Sequence, residues 1–174
     1  MKKPSPPTDP EILVIGYGSS LRSDDSVGAR AAAAVGDWAL PGVRAIAAQQ
    51  LTPELVEPLS AARLVIFVDA RRAEAGEPVR VEPIEPEAIA SMFVHACNPR
   101  GLLGIAQEIF GSRPPAWLVT VPATEFAVGE RLSPMAHSGL VAALQTIAGL
   151  LSSAPGCALT ARGRMPDHTL KKTC

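Results

Sequence analysis

The chain has 174 residues, of which 47% are hydrophobic and 19% are charged, and its formal net charge is −1 at pH 7. This size and composition predict one globular domain with a sizeable core. The near-neutral charge gives no electrostatic reason to expect a nucleic acid or an anionic membrane as a partner, and no apolar run approaches the roughly 20 residues that span a bilayer.

The two ends of the chain differ in composition from the region between them. Residues 1–10, MKKPSPPTDP, are rich in proline and polar residues and lack the apolar core of a signal peptide. We therefore predict a disordered leader there and a cytoplasmic protein. Residues 153–174 are predicted to form a disordered tail, because their glycine, proline and charged content cannot bury enough apolar surface. A single domain is expected over residues 11–152, and we expect it to be monomeric.

In chain order, predicted strands alternate with predicted helices. The strands are short and mostly apolar runs, whereas the helices carry apolar residues at helical spacing. The strands are predicted at residues 12–16, 43–48, 62–70, 79–84 and 116–123. The helices are predicted at residues 26–39, 52–62, 99–110 and 135–151. This alternation predicts an α/β fold with a mostly parallel, five-stranded sheet covered by helices on both faces.

The most informative segment runs from Ile12 to Val35 and reads ILVIGYGSSLRSDDSVGARAAAAV. An apolar strand ends in a glycine loop, and two acids follow at the start of a helix, where the helix dipole stabilises acids by roughly 0.3–1 kcal/mol each. One acid suffices for a cap. We therefore predict that Asp24 caps the helix and that Asp25 points into the crevice beyond the sheet. A dinucleotide-binding fingerprint is disfavoured, because Leu21 stands where that pattern needs a third glycine.

Side chains that can do chemistry follow the carboxyl ends of the predicted strands, where sites in open α/β sheets collect. Asp24 and Asp25 follow the first strand, Asp69 closes the third, and His95 precedes the helix at 99–110. Carboxylates and imidazole together suit a borderline divalent metal such as nickel or zinc. Ordinary structural roles are equally open, a turn cap for Asp69 and a backbone hydrogen bond for His95. Spacing alone leaves both interpretations standing.

Four segments, in their order and spacing, resemble the hydrogenase maturation proteases, which trim the large-subunit precursor of nickel–iron hydrogenases. They are the glycine loop with its DDxxG signature (GYGSSLRSDDSVG), the strand that ends in an acid (LVIFVDA), the histidine segment (VHACNPRGLLGIAQEIFG) and the late loop (ATEFAVGERLSP). The resemblance covers about Ile12 to Leu151, which is nearly everything except the two ends.

The resemblance implies a three-layer α/β/α sandwich with a mostly parallel, twisted five-stranded sheet. It also implies that Asp25, Asp69 and His95 are the metal-contacting residues. The implied activity is that of an endopeptidase that removes the C-terminal extension of the hydrogenase large-subunit precursor after nickel insertion. The nickel is carried by the substrate, and three ligands with open positions predict that the free enzyme holds a divalent metal only weakly.

The hydrolytic mechanism stays open at the level of the sequence. A metal could polarise the scissile carbonyl or activate water, or a carboxylate, Asp24 or Asp69, could act as a general base. A thiol nucleophile at Cys97, beside His95, is a rival that the family pattern does not require. A second class of function is a nickel-dependent checkpoint or chaperone that binds the precursor without cleaving it.

Overall fold

The structure is a computed structural model that describes residues 12–74, 76–87 and 98–154. The predicted leader, all but the first two residues of the predicted tail, and both His95 and Cys97 lie outside these ranges. The predictions made for them therefore stay predictions.

Five strands and four helices make up the described part of the chain. The strands are β1 (Ile12–Tyr17), β2 (Val43–Ala48), β3 (Leu64–Arg72), β4 (Arg80–Ile84) and β5 (Ala116–Ala123). The helices are α1 (Val27–Asp37), α2 (Val56–Ala61), α3 (Pro99–Phe110) and α4 (Pro134–Ser153). Short 3₁₀ turns at Ser23–Ser26 and Pro53–Leu55 lead into α1 and α2.

The strands form one sheet in the order β2-β1-β3-β5-β4, in which only β4 runs antiparallel to its neighbour. The prediction of a mostly parallel, five-stranded α/β fold is confirmed. Within the sheet, β2 is the neighbour of β1 on one side and β3 is its neighbour on the other side. The chain therefore reverses its direction of travel across the sheet after β2. The carboxyl ends of β1 and β3 therefore flank the point at which strand order reverses, where open α/β sheets place their ligand crevices.

Two apolar clusters cover the two faces of the sheet. Side chains alternate along each strand, so Leu13 of β1 and Phe67 of β3 face α2 and α3, whereas Val14 and Val68 face α1 and α4. The helices pack in the same pairs, α1 against α4 and α2 against α3. This arrangement is the three-layer sandwich that the resemblance implies.

Helix α4 is more apolar than expected, because we predicted no apolar run close to the length of a membrane span. Its 20 residues are long and apolar enough, by length and composition, to cross a membrane. In the structure it instead lies along β5 and α1, and the residues that it buries are spaced at helical intervals: Ala136, Gly139, Ala143, Ile147 and Leu151. Of these, Ala143, Ile147 and Leu151 belong to the apolar cluster on that face of the sheet.

The start of α1 approaches the sheet more closely than a side chain would permit. A Cβ atom on Gly28, the glycine of the DDxxG signature, would collide with the carbonyl oxygens of Tyr17 and Val68. Tyr17 is the last residue of β1, and Val68 is the last residue of β3 that pairs with β1. Gly28 thus lets the helix seat the acids that precede it directly against the strand ends.

Two glycine substitutions within helices should have opposite effects. Gly28→Ala should lower the free energy of unfolding by about 3 kcal/mol, because overpacking against a backbone that cannot move aside is costly. The matched control is Gly149→Ala in α4, where an added Cβ meets nothing within 4 Å. That change should stabilise the protein by about 0.5–1 kcal/mol through helix propensity. Urea unfolding of the two variants measures both effects, and equal stabilities would contradict the close approach.

Candidate functional site

Asp69 lies beside Tyr17 because β1 and β3 are hydrogen-bonded neighbours. The register pairs Gly16 with Val68, so the next residue of each strand adjoins the other. The Tyr17 hydroxyl donates a hydrogen bond to Asp69 Oδ2 at 2.7 Å, and the backbone N–H of Ala70 donates to Oδ1 at 2.7 Å. These two bonds fix the orientation of a half-buried carboxylate at the carboxyl edge of the sheet.

The surroundings of Asp69 raise its pKa above the ordinary value. Burial raises the pKa of Asp69; the hydrogen bonds from Tyr17 and Ala70 oppose that rise without cancelling it, and the charge of Asp25 adds to it. Burial, together with the charge of Asp69 and the hydrogen bond to it, raises the pKa of Tyr17 far above its ordinary value. Tyr17 therefore stays a neutral donor, and Asp69 is a better proton acceptor than an exposed aspartate.

Asp25 is held within the loop that follows β1. Its Oδ2 accepts a hydrogen bond from the backbone N–H of Ser19 at 2.8 Å. Both residues belong to the β1–α1 loop (residues 18–26), so this bond fixes the Asp25 side chain within its own loop. The side chain is half-buried. The charge of Asp25 is one of the causes that raise the pKa of Asp69.

The predicted ligand set of Asp25, Asp69 and His95 is only partly described. Asp25 lies in the loop after β1 and Asp69 lies in the neighbouring strand β3, whereas His95 lies outside the described residues, so the convergence of the three stays a prediction. Over residues 12–74, 76–87 and 98–154, no three side chains of the metal-binding types converge. Two carboxylates suit a hard or borderline divalent cation, and the identity of a third ligand stays a prediction.

Asp24 does not cap its helix, so that prediction is wrong. No side chain caps the 3₁₀ turn or α1. The carboxylate turns instead toward the β5–α4 loop (residues 124–133), where Oδ2 accepts from the backbone N–H groups of Thr124 and Glu125, both at 2.9 Å. The backbone N–H of Ser133 donates to Oδ1 at 2.6 Å and its hydroxyl to Oδ2 at 2.7 Å. Two acids adjacent in sequence therefore face different partners.

The four donors also account for the charge state of Asp24. Burial alone would raise the pKa of this fully buried carboxylate, but the bonds from Glu125, Ser133 and Thr124 outweigh it and the pKa lies below its ordinary value. Asp24 therefore stays ionised, and both of its carboxylate oxygens accept hydrogen bonds. Of the two candidate general bases, Asp24 and Asp69, only Asp69 combines a raised pKa with a place at the edge.

Two residues of this region were missed at the sequence level. Tyr17 could have been found from the pairing of β1 with β3, since it follows the residue that adjoins Val68. Ser133 could have been found from the Ser–Pro pair, because its hydroxyl accepts from the N–H of Ala136 as the N-cap of α4, with Pro134 at the first helical position. The contact between Ser133 and Asp24 has no local signal, because 109 residues separate them.

Solved structures of other proteins share this fold. The hydrogenase maturating endopeptidase HybD from E. coli matches with a TM-score of 0.63 and 20% identity, over 82% of this chain and 92% of that one. The [NiFe] hydrogenase maturation protease HycI from Thermococcus kodakarensis matches with a TM-score of 0.62 and 22% identity, over 82% and 92%. A hydrogenase 2 maturation peptidase from a Thaumarchaeota archaeon matches with a TM-score of 0.58 and 23% identity, over 81% and 97%.

The chain has the fold of the hydrogenase maturation endopeptidases. No protein-family model and no curated protein sequence matches the chain, so the likeness lies in the three-dimensional arrangement. It extends over about four fifths of this chain and nearly the whole of each structure named above.

The role of Asp24 can be tested by its dependence on pH. Asp24→Asn should lower the free energy of unfolding at pH 7 by roughly 2–4 kcal/mol, since hydrogen bonds to charged groups contribute roughly 1.5–3 kcal/mol each and the new amide would face N–H donors. The pKa of Asp24 is lower in the folded state than in the unfolded state, where it is about 3.9. Its contribution is therefore complete above about pH 4 and is lost as the pH falls through the folded pKa.

Urea unfolding of the wild type and Asp24→Asn across this range measures the difference directly. The gap between them should be widest near neutral pH and should close on acidification. Asp37→Asn, at the exposed end of α1, is the control and should change stability by less than about 0.5 kcal/mol at every pH. A gap that stays constant down to pH 3 would show that the charge of Asp24 contributes nothing.

Proposed function

We propose that this protein is a hydrogenase maturation endopeptidase that removes the C-terminal extension of a nickel–iron hydrogenase large-subunit precursor after nickel insertion. A fold by itself hosts many functions, so the site must carry the argument. The observation that carries it is the position of Asp69, which Tyr17 Oη holds at 2.7 Å beside the strand-order reversal of this particular fold, with Asp25 in the loop that follows the adjoining strand. Paired carboxylates in a crevice are the chemistry that a hydrolase with a metal-bearing substrate needs.

Nickel enters this proposal as part of the substrate. Asp25, Asp69 and His95 would complete the coordination of nickel that the precursor already holds, so that binding requires a surface from each protein. Oxygen and imidazole ligands suit nickel. A precursor without nickel would present nothing for the carboxylates to bind. The protein would therefore prefer the nickel-loaded precursor because it binds it more tightly, and not because the nickel-free form clashes with the site.

Asp69 is the residue that we propose as general base. Its raised pKa favours uptake of a proton, and the bond from Tyr17 Oη holds it in one orientation at 2.7 Å. In hydrolysis, the oxygen of water bonds to the scissile carbonyl carbon while Asp69 takes the proton that water loses. The proton then passes to the leaving nitrogen as the peptide C–N bond breaks. Such proton transfer contributes typically 10²–10⁴-fold to a rate.

The deciding experiment uses a purified hydrogenase large-subunit precursor, with and without nickel. Incubation with the wild-type protein should shorten the nickel-loaded precursor at its C-terminus, as read by intact-protein mass spectrometry, and should leave the nickel-free precursor at full length. Binding without any loss of mass would favour the checkpoint function. Equal cleavage of both forms would contradict selection by the metal.

Asp69→Asn should reduce cleavage of the nickel-loaded precursor by at least about 10²-fold, because the amide cannot accept the proton from water. Asp37→Asn is the matched control and should cleave normally, since it lies at the exposed far end of α1. Precursor binding distinguishes the two roles predicted for Asp69. Tight binding without cleavage identifies a base, whereas loss of both identifies a ligand of the metal. Full activity in Asp69→Asn would exclude both roles.

A further inference from the structure

Two exposed apolar side chains lie on bridged loop segments, one after β1 and one after β5. Leu21 is 60% exposed and Val128 is 93% exposed. An isolated parallel bridge joins Arg22 to Gly129, so Leu21 and Val128 hold corresponding positions on the two paired segments. The bridge brings the two backbone segments together at this point. We refer to Leu21 and Val128 as the apolar pair.

The backbone beneath the apolar pair is held in place by hydrogen bonds. The N–H of Ser23 donates to the carbonyl of Gly129 at 2.7 Å, and the N–H of Gly129 donates to the carbonyl of Leu21 at 3.0 Å. Ser23 has a positive φ of 47°, a conformation that persists in a non-glycine residue only where its surroundings impose it. The bonds to Asp24 described above fix the two ends of the β5–α4 loop. These hydrogen bonds hold the backbone around Leu21 and Val128 in one conformation, in which both side chains are exposed.

The apolar pair also adjoins the candidate site. Leu21 belongs to the loop in which the Ser19 N–H binds Asp25, and its own N–H lies 3.4 Å from the Ser19 hydroxyl. Charge does not mark this rim for an acidic or a basic partner. The exposed charged residues of the two loops balance in sign, two arginines against two glutamates: Arg22, Arg131, Glu125 and Glu130.

We propose that the apolar pair docks an apolar segment of the protein substrate and guides the adjoining scissile bond to Asp25 and Asp69. This inference rests on the proposed function and adds the chemistry by which the polypeptide, as distinct from its nickel, is recognised. Continuity of the pair with the carboxylate site supports this occupant. A second copy of the chain is a poorer one, because two side chains alone supply far less than the roughly 1,000 Å² that a stable interface requires, whereas the precursor would also be held at Asp25 and Asp69.

Binding of a purified, nickel-loaded hydrogenase large-subunit precursor tests the proposal. Val128→Ser and Leu21→Ser should each raise the dissociation constant roughly tenfold or more, because each replaces an apolar side chain that the complex would bury with a polar one. The matched control is Val141→Ser. This valine is 50% exposed on α4, away from both loops, and its replacement should leave the dissociation constant unchanged. Unfolding midpoints equal to that of the wild type confirm that each variant is folded.

The outcomes separate this inference from the function on which it rests. Wild-type affinity in both Val128→Ser and Leu21→Ser would overturn the docking role and leave the endopeptidase proposal intact. Equal weakening in all three variants would also overturn it, because the effect would then not be local. A wild-type protein that fails to bind the precursor would overturn both proposals. A concentration-dependent dimer that Val128→Ser abolishes would assign the pair to self-association and overturn substrate docking.

Discussion

A buried carboxylate sets the arrangement at the functional edge of this protein. Removing the charge of Asp24 from water is costly unless donors replace the lost hydration, and its four donors all come from the β5–α4 loop. The first loop of the domain and the last one are thereby joined across a sequence distance of about one hundred residues. Because the same loop begins α4 at Ser133, the bond network also fixes where one outer layer of the sandwich starts.

Close packing supplies the other half of this arrangement. The absence of a side chain at Gly28 brings the start of α1 against the carbonyl oxygens of Tyr17 and Val68, so the acids just before the helix stand over the ends of β1 and β3. Asp69 arrives from β3 in register with this point. Both contacts position the β1–α1 loop. Gly28 sets the distance of the loop from the sheet, and the hydrogen bonds of Asp24 set the position of the loop beside the β5–α4 loop.

Much of the fold could be predicted from the sequence, because strands and helices are specified by local patterns. The strands at 43–48 and 116–123 and the helix at 99–110 have their predicted bounds. The third strand runs two residues beyond its predicted end, to Arg72, because pairing with β5 extends it. Asp24 was misassigned for a related reason: its position favours a local cap, and its actual partners are set by tertiary structure. Spacing alone could not separate the roles of two adjacent acids.

The separation of those roles has an electrostatic consequence for the proposed function. The donors around Asp24 compensate its charge, so it adds little to the repulsion at the edge. Asp25 and Asp69 have fewer donors, and the charge of Asp25 raises the pKa of Asp69. Two partly buried like charges are stabilised together by a cation between them. A precursor that brings nickel would relieve this repulsion and a nickel-free precursor would not, which is a physical basis for sensing the metal before cutting the chain.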